Sequence, residues 1–170
     1  MIRPALALIG AFLLTAQTPA PTTSSDCPTP AVDTHAFVAA AAFRVKAPRG
    51  GPLALVPVND ENARERGLMC VVSVPLGRGM IFVFGDGDIS RGFWMKNTLV
   101  GLDMVFVTSA GKVTSVAANV PATPDGTPDD KIGRRAGLGR FVIELGAGDA
   151  ARHGITAGTH LTLPPLVVKS

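Results

Sequence analysis

The sequence predicts a mainly β fold, an antiparallel β-sandwich or barrel with two short helices. Two observations lead to this fold class. Most apolar residues occur in short runs or alternate with polar residues, a period of two that is typical of strands, and the helical period of 3.6 is rare. Glycine and proline, with 19 and 14 copies in 170 residues, separate these runs about every ten residues, which favours short antiparallel strands over alternating βαβ units.

Short apolar or alternating segments along the chain have the composition of strands, and two of their connections have the residues of tight turns. The turn residues at 48–52 predict a hairpin between the first two strands, and those at 109–112 predict another hairpin. The predicted strands are 37–45, 53–58, 80–84, 93–98, 103–108, 113–118, 140–145 and 160–163.

Two short helices interrupt the strands. Residues 61–66 are charged and compatible with a helix, Asn59 or Asp60 can cap its first turn, and Gly67 can adopt the left-handed conformation that ends it. A second short helix is predicted at 148–153. Many strands and only two small helices again favour a sandwich or barrel.

One connection between the predicted strands is unusually long. Residues 119–139 contain Pro121, Pro124 and Pro128 together with scattered Gly and Asp, and they show no apolar periodicity. Connections of this length in a compact domain are usually functional or disordered. We therefore expect a functional or disordered loop at 119–139.

The N-terminal residues have the pattern of a secretory signal peptide. Arg3 precedes the apolar run 5–16, and a tract rich in Pro, Thr and Ser follows it. The apolar run is shorter than the roughly 20 residues that a membrane-spanning helix needs. We therefore predict a signal peptide at 1–20, a Pro/Thr/Ser-rich lead-in at 21–34 and a single β-rich domain at 35–170. The protein is expected to be periplasmic or secreted, with no stable membrane span after signal removal.

The two cysteines of the chain, Cys27 and Cys70, are candidates for one disulfide bond. Disulfides persist in exported proteins because the compartments outside the cytoplasm are oxidising. A bond between Cys27 and Cys70 would attach the lead-in to the body of the domain. A free buried thiol beside Met69 and a metal-binding pair remain as alternatives.

Composition, charge and missing motifs argue against several other classes of function. The chain has 16 basic and 13 acidic residues, a net charge of +3, and neither sign forms a long run, so no basic face for nucleic acid is evident. The sequence contains no Gly-x-Ser-x-Gly motif and no glycine-rich phosphate loop before a helix. Met69, Met80, Met95 and Met104 could ligate Cu(I), but three of them alternate with Ile, Val and Phe as core residues do. We therefore expect no cofactor, no metal ion and no nucleic-acid partner.

Several separated motifs together point to one family. They are 65–69, 79–84, 93–98, 102–103, 119–121 and 141–145. On these motifs the chain, roughly from residue 53 to residue 163, resembles the family catalogued as domain of unknown function 192. The resemblance implies a small, mostly β fold, often in exported bacterial proteins, and no established activity. Many relatives carry a Cys-Pro pair in the loop that corresponds to 119–139, and this chain has prolines there without a cysteine.

The segment 93–98, Phe-Trp-Met-Lys-Asn-Thr, carries the main functional hypothesis. A strand would place its alternate side chains on opposite faces. One face would carry Phe93, Met95 and Asn97, and the other would carry Trp94, Lys96 and Thr98. Asp103, on the next predicted strand, could pair with Lys96 or orient it towards an anionic ligand. Alternatively, Trp94 packs at a sheet edge beneath Lys96, and Asp103 caps a turn through the backbone.

These residues favour a non-enzymatic binding or accessory module over an enzyme. Its partner would be a small polar ligand, a glycan or a protein. The candidate ligand-binding residues are Trp94, Lys96, Asn97, Thr98 and Asp103. The alternative is a hydrolase-like enzyme that uses Asp103, Lys96 and Glu144, because paired carboxylates can perform general acid and base chemistry.

Overall fold

The computed structural model describes Cys27, residues 43–163 and Pro165. The predicted signal peptide at 1–20, the lead-in at 21–34 apart from Cys27, and the first part of the strand predicted at 37–45 lie outside the described residues. No helix within the described part is long and apolar enough to cross a membrane.

The described chain forms a six-stranded sheet and a two-stranded ribbon, with two short α-helices. The large sheet has the strand order β1-β2-β3-β8-β5-β6, and the ribbon pairs β4 with β7. The strands are β1 (Phe43–Val45), β2 (Leu53–Val58), β3 (Arg78–Val83), β4 (Ile89–Trp94), β5 (Leu102–Val107), β6 (Val113–Val120), β7 (Arg134–Gly139) and β8 (Phe141–Gly146), and the helices are α1 (Glu61–Arg66) and α2 (Asp149–Arg152).

This architecture confirms the mainly β class with two short helices, and it selects the sandwich-like alternative because the sheet does not close into a barrel. The pairings in the sheet are antiparallel with one exception. Strands β2 and β3 run parallel, with Leu55 opposite Gly79 and Val58 opposite Phe82. Helix α1 lies in the connection between them, because parallel neighbours need a crossover that returns the chain to the same end of the sheet.

The large sheet buries side chains on both of its faces. On the central strand β8, Ile143 and Leu145 join the core beneath α2 and Ile155, while Val142 joins the core on the opposite face. The β4–β7 ribbon covers this second face through Phe93, whose ring lies edge-on to three other phenylalanine rings, with the centroid of Phe82 at 4.9 Å. The sheet is therefore covered on one face by the C-terminal helix and on the other by the ribbon.

The ribbon approaches the sheet closely at Gly137 of β7. A β-carbon at this position would lie 2.3 Å from Cγ of Phe106 and 2.7 Å from Oγ of Ser115. Only glycine leaves room for this contact between backbone and side chain.

The helix predicted at 61–66 is confirmed. Of the two candidate caps, Asp60 performs the role, because its carboxylate accepts a hydrogen bond of 2.9 Å from the amide of Ala63. Gly67 ends the helix with a φ of 46°. The second helix, predicted at 148–153, is one turn long and spans Asp149–Arg152.

Two predictions about strands are wrong, and both concern the ribbon. Residues 93–98 do not form a strand, because β4 ends at Trp94 and the chain then turns away. The connection 119–139 is not structureless, since it contains a short 3₁₀ helix, Asp129–Lys131, and the whole of β7. Strand β7 has little apolar alternation, so its pairing with β4 is what makes it a strand.

The hairpins predicted at 48–52 and 109–112 are confirmed, since they connect antiparallel pairs of strands. In the second hairpin the amide of Thr108 donates to the carbonyl of Lys112 over 2.9 Å. The segment predicted as a strand at 160–163 makes only isolated bridges, from His160 to Lys112 and from Thr162 to Lys46.

The disulfide between Cys27 and Cys70 is confirmed, with a Cα–Cα distance of 5.4 Å. It excludes the free thiol and the metal-binding pair. The bond closes a loop of 43 positions, for which the chain-entropy argument predicts about 4 kcal/mol of stabilisation. The amide of Cys27 also donates to a carboxylate oxygen of Asp125 over 3.3 Å, so Cys27 contacts the 119–139 connection as well.

Candidate functional site

The segment after β4 is a tight turn, and this turn explains the polar residues of the 93–98 motif. The amide of Thr98 donates to the carbonyl of Met95 over 3.2 Å, and Asn97 has a φ of 49°. Asparagine tolerates this left-handed conformation better than other residues with a β-carbon. The Thr98 hydroxyl donates to the carbonyl of Lys96 over 3.0 Å. The Asn-Thr pair therefore shapes the backbone locally.

This turn is attached to the disulfide-bonded segment. The amide of Cys70 donates to the carbonyl of Asn97 over 2.8 Å. Cys70 itself has a φ of 63°, and it shares a surface groove with Trp94 and Lys96. The disulfide thus lies at the border of the candidate site and holds one of its walls.

Trp94 is half-buried at the end of β4, between two cationic side chains. Nζ of Lys96 lies 5.2 Å from the centroid of the indole ring, and Cζ of Arg134 lies 5.3 Å from it. Both distances are within the range of cation–π attraction. Arg134 reaches this position because it is the partner of Trp94 in the β4–β7 register. Lys96 reaches it because the turn brings it back over the ring.

Two open grooves meet at Trp94. One has a volume of about 550 Å³ and includes Arg134 and Arg135, and the other has a volume of about 580 Å³ and includes Lys96 and Asn97. Sequence reasoning missed both arginines, because residues 119–139 were interpreted as a loop with no defined partner strand. The only local signal was weak, since residues 134–139 at the end of that segment contain no proline.

Lys96 pairs with Asp129 rather than with Asp103. Its Nζ lies 3.3 Å from Oδ1 of Asp129, and the side chains of the pair are 28% and 64% exposed. Asp129 lies in the 3₁₀ helix of the 119–139 connection, so that connection reaches the Trp94 site. The expected pairing of Lys96 with Asp103 is wrong.

Asp103 has a structural position away from the candidate site. It is fully buried, and its two carboxylate oxygens accept hydrogen bonds from the amides of Asn119, at 2.7 Å, and Ala150, at 2.9 Å. Ala150 belongs to the first turn of α2, whose unpaired amides favour a negative charge. Asp103 thus binds backbone amides of two distant segments rather than a turn of its own, and its carboxylate is not available to the Trp94 site.

Thr98 and Asn97 occupy different surroundings from those expected for a regular strand. Thr98 is buried, with its hydroxyl used by the turn, so it does not share the exposed face of Trp94. Asn97 is also largely buried, although it contributes to the larger groove. Of the predicted set, the structure brings Trp94, Lys96 and Asn97 together.

Glu144 is the most unusual ionisable group near this site. It lies on β8, between Met80 of β3 and Met104 of β5 in the strand register, and only 4% of it is exposed. Burial raises the pKa of its carboxyl group to about 8, because a charge is poorly solvated there. Its Oε2 atom has no hydrogen-bond partner among the described residues. The signal in the sequence was a single carboxylate inside the apolar run 141–145.

A small cavity of about 20 Å³ separates Glu144 from the surface. Helix α1 and the residues just after it form one side of this cavity, including Gly67 and Met69. Trp94 and Thr98 line it as well. The half-buried indole and the buried carboxyl group thus line the same small cavity.

Three of the four methionines considered as copper ligands, Met80, Met95 and Met104, pack as core residues among apolar side chains, whereas Met69 is half-buried beside the groove. No group of three or more His, Cys, Asp or Glu residues in the described part of the chain is arranged to hold a metal ion.

The profile of one protein family, described as "Uncharacterized ACR", matches residues 46–163. The chain belongs to the DUF192 family. The matched DUF192 region contains Trp94, Lys96, Arg134 and Glu144, and it leaves Cys27 outside. No curated protein matches this chain.

Two crystal structures resemble this DUF192 chain. One, provisionally described as a transcription regulator from Sinorhizobium meliloti 1021, is 30% identical, with a TM-score of 0.60 over 71% of this chain and 91% of the other. The second is a protein of unknown function from Novosphingobium aromaticivorans DSM 12444, which is 27% identical, with a TM-score of 0.59 over 71% of this chain and 82% of the other.

Proposed function

We propose that this DUF192 protein is an exported, non-enzymatic binding module for a small anionic polar ligand, namely a sugar that carries a carboxylate. The observation that carries the proposal is the position of Trp94, which has Lys96 and Arg134 beside its ring where two grooves meet. An apolar ring face beside a few directed polar groups is typical of small-molecule sites.

The cations at this site are suited to a ligand carboxylate. Arginine binds carboxylates through two parallel N–H groups, and lysine attracts them as a point charge. The Lys96–Asp129 ion pair is exposed on the Asp129 side, and exposed pairs contribute only about 0 to 1 kcal/mol. A ligand carboxylate can therefore replace Asp129 as the partner of Lys96 at little energetic cost.

Export is the second part of the proposal. It is supported by the signal-peptide pattern at 1–20 and by the disulfide between Cys27 and Cys70, since disulfides are rare in reducing compartments. Expression of the full chain followed by mass spectrometry of the periplasmic fraction tests this part. A mature N-terminus near residue 21 is expected, and retention of Met1 on a cytoplasmic protein would contradict export.

The hydrolase alternative loses its support from geometry. Glu144 is the register partner of Met104, so the side chains of Glu144 and Asp103 point to opposite faces of the sheet. The carboxylate of Asp103 is occupied by two backbone amides. These two residues do not form the facing carboxylate pair on which that alternative rested.

Tryptophan fluorescence tests binding directly, because Trp94 is the only tryptophan in the chain. We would titrate the exported protein with galacturonate oligomers and with neutral galactose oligomers of the same length. The acidic oligomers are expected to change the emission of Trp94 and the neutral ones to bind at least tenfold more weakly. Equal responses to the two series would refute the anionic preference.

Matched variants separate the site from general surface charge. Lys96→Ala and Arg134→Ala are each expected to weaken binding of the acidic oligomer at least tenfold, because each removes a cation beside the ring. Lys112→Ala and Arg44→Ala are the controls, since both residues are exposed and belong to other parts of the fold. Weakening of binding by the controls to the same extent would show that only net charge matters.

A further inference from the structure

The carboxyl group of Glu144 is buried in a place that the fold does not require to be polar. Its neighbours in the strand register are Met80 and Met104, and Phe82 and Phe93 line the cavity before it. A buried polar atom without a partner destabilises a fold unless water or a ligand satisfies it. The Oε2 atom of Glu144 is such an atom among the described residues.

The cavity beside this carboxyl group is large enough for one water molecule or one hydroxyl group of a ligand. Its volume is about 20 Å³, which is above the roughly 10 to 15 Å³ that a single water needs and far below the size of a sugar ring. Gly67 keeps this space open, because a β-carbon there would lie 3.6 Å from Oε2 of Glu144 and 3.3 Å from the ring of Phe82.

The cavity and the larger groove share a wall. Glu65, Arg66, Met69 and Trp94 line both of them. The groove and the cavity of Glu144 are therefore neighbours, and Met69 in their common wall is a flexible thioether that adapts to its contacts.

We infer that Glu144 forms an inner subsite of the Trp94 groove, in which its carboxyl group hydrogen-bonds to one oxygen of the ligand, a hydroxyl or carboxylate oxygen. This inference rests on the proposed function, because the ligand enters by way of Trp94. The outer cations hold the charge of the ligand, and Glu144 recognises one oxygen in a defined position. Glu144 is thus a specificity-determining residue for a polyhydroxylated anion.

The direction of the hydrogen bond follows from the surroundings of Glu144. The charged groups that line the cavity are Arg64, Glu65 and Arg66, all from α1, and the strands present apolar side chains there. Because burial raises the pKa of Glu144 to about 8, the group is protonated at neutral pH and donates its proton to the ligand oxygen. Ionisation removes this donor, so binding should weaken at high pH.

The pH profile gives the first test, measured by titration calorimetry with a galacturonate oligomer. The protonated fraction of a group with a pKa of about 8 falls about tenfold between pH 7 and pH 9, and the affinity of the wild type is expected to fall with it. In Glu144→Gln the side-chain amide is a donor at every pH, so the affinity at pH 7 should stay within about threefold of the wild type and should not fall by pH 9.

Glu144→Leu gives the second test, because it fills the same volume without a donor or acceptor. We expect at least tenfold weaker binding at pH 7 with a melting temperature equal to or above that of the wild type. Asp88→Asn is the control, since Asp88 is an exposed carboxylate that lines neither the cavity nor the groove, and it should keep the pH profile of the wild type.

The outcomes separate the inference from the proposed function. If Lys96→Ala weakens binding and Glu144→Leu binds as the wild type does, the inner cavity holds only water and the inference is wrong, while the proposed function stands. If the wild type does not bind the acidic oligomer, both are wrong. A pH profile that Glu144→Gln leaves unchanged also overturns the inference.

Discussion

Glu144 should make the stability of this fold depend on pH, whether or not a ligand is present. Its pKa is raised by burial from 4.5 to about 8. Because the folded-state pKa lies above the unfolded one, the contribution of the neutral group is fully present below about pH 4.5 and is lost as the pH rises to about 8. The fold should therefore become less stable across that window.

The magnitude follows from the size of the pKa change. One pKa unit corresponds to about 1.4 kcal/mol, so the rise from 4.5 to about 8 amounts to an upper limit of roughly 5 kcal/mol. Water that enters the small cavity near the carboxylate would reduce this value, and we expect about 2 to 4 kcal/mol. This is a large part of the 5 to 15 kcal/mol that stabilises a typical domain.

Urea unfolding of the wild type and of Glu144→Gln at pH 5 and pH 8.5 measures this effect. The variant keeps the shape of the side chain and cannot ionise, and every other titrating group is common to both proteins. The difference in unfolding free energy between the two pH values should thus be about 2 to 4 kcal/mol larger for the wild type. Glu65→Gln should behave as the wild type does. Parallel pH dependences in the wild type and Glu144→Gln would refute the burial argument.

Three further changes test other parts of the structure by urea unfolding. Asp103→Ala should lower the unfolding free energy by about 2 to 4 kcal/mol, because two backbone amides that it binds lose their acceptor. Asn97→Val should lower it by about 1 to 2 kcal/mol, since a β-branched residue is strained at a φ of 49°, while Asn97→Gly should be nearly neutral. Replacement of both Cys27 and Cys70 by Ser should lower it by about 2 to 4 kcal/mol through loss of the closed loop.

Each of these three expectations can be contradicted by a specific result. A neutral Asp103→Ala would mean that water replaces the carboxylate at the start of α2. Equal destabilisation by Asn97→Val and Asn97→Gly would assign the effect to the lost amide rather than to the backbone conformation. A reducing agent that leaves the melting temperature of the wild type unchanged would show that the disulfide does not constrain the unfolded chain.

Local signals in the sequence were sufficient to predict those elements whose structure depends on residues close together in the chain. The alternation of apolar residues predicted most strands of the large sheet, and the capping residue Asp60 with Gly67 predicted α1. The disulfide could be predicted because the chain contains two cysteines, Cys27 and Cys70, so only one pairing within the chain is possible. These features depend on residue type and short spacing, so they can be read from the chain directly.

The candidate site is formed by segments that are distant in the sequence, so it could not be predicted from local patterns. Arg134 stands beside Trp94 only because β7 docks on β4, and Asp103 was predicted to meet Lys96 although its carboxylate binds the start of α2. Strand pairing of this kind is driven by the burial of Phe93 and the close approach at Gly137, and neither contact leaves a periodic pattern in the sequence.

The sequence by itself determined that the chain is a β-rich member of the DUF192 family, with two cysteines that could pair and a conspicuous Trp-Met-Lys-Asn segment. Only the tertiary structure decided that this segment is a strand end followed by a turn, and that Glu144 lies buried near Trp94. The physical reason is that burial and electrostatic environment are set by which elements pack together. Residues that are far apart in the sequence create the burial and the electrostatic environment of each side chain, so a single stretch of the chain does not reveal either property.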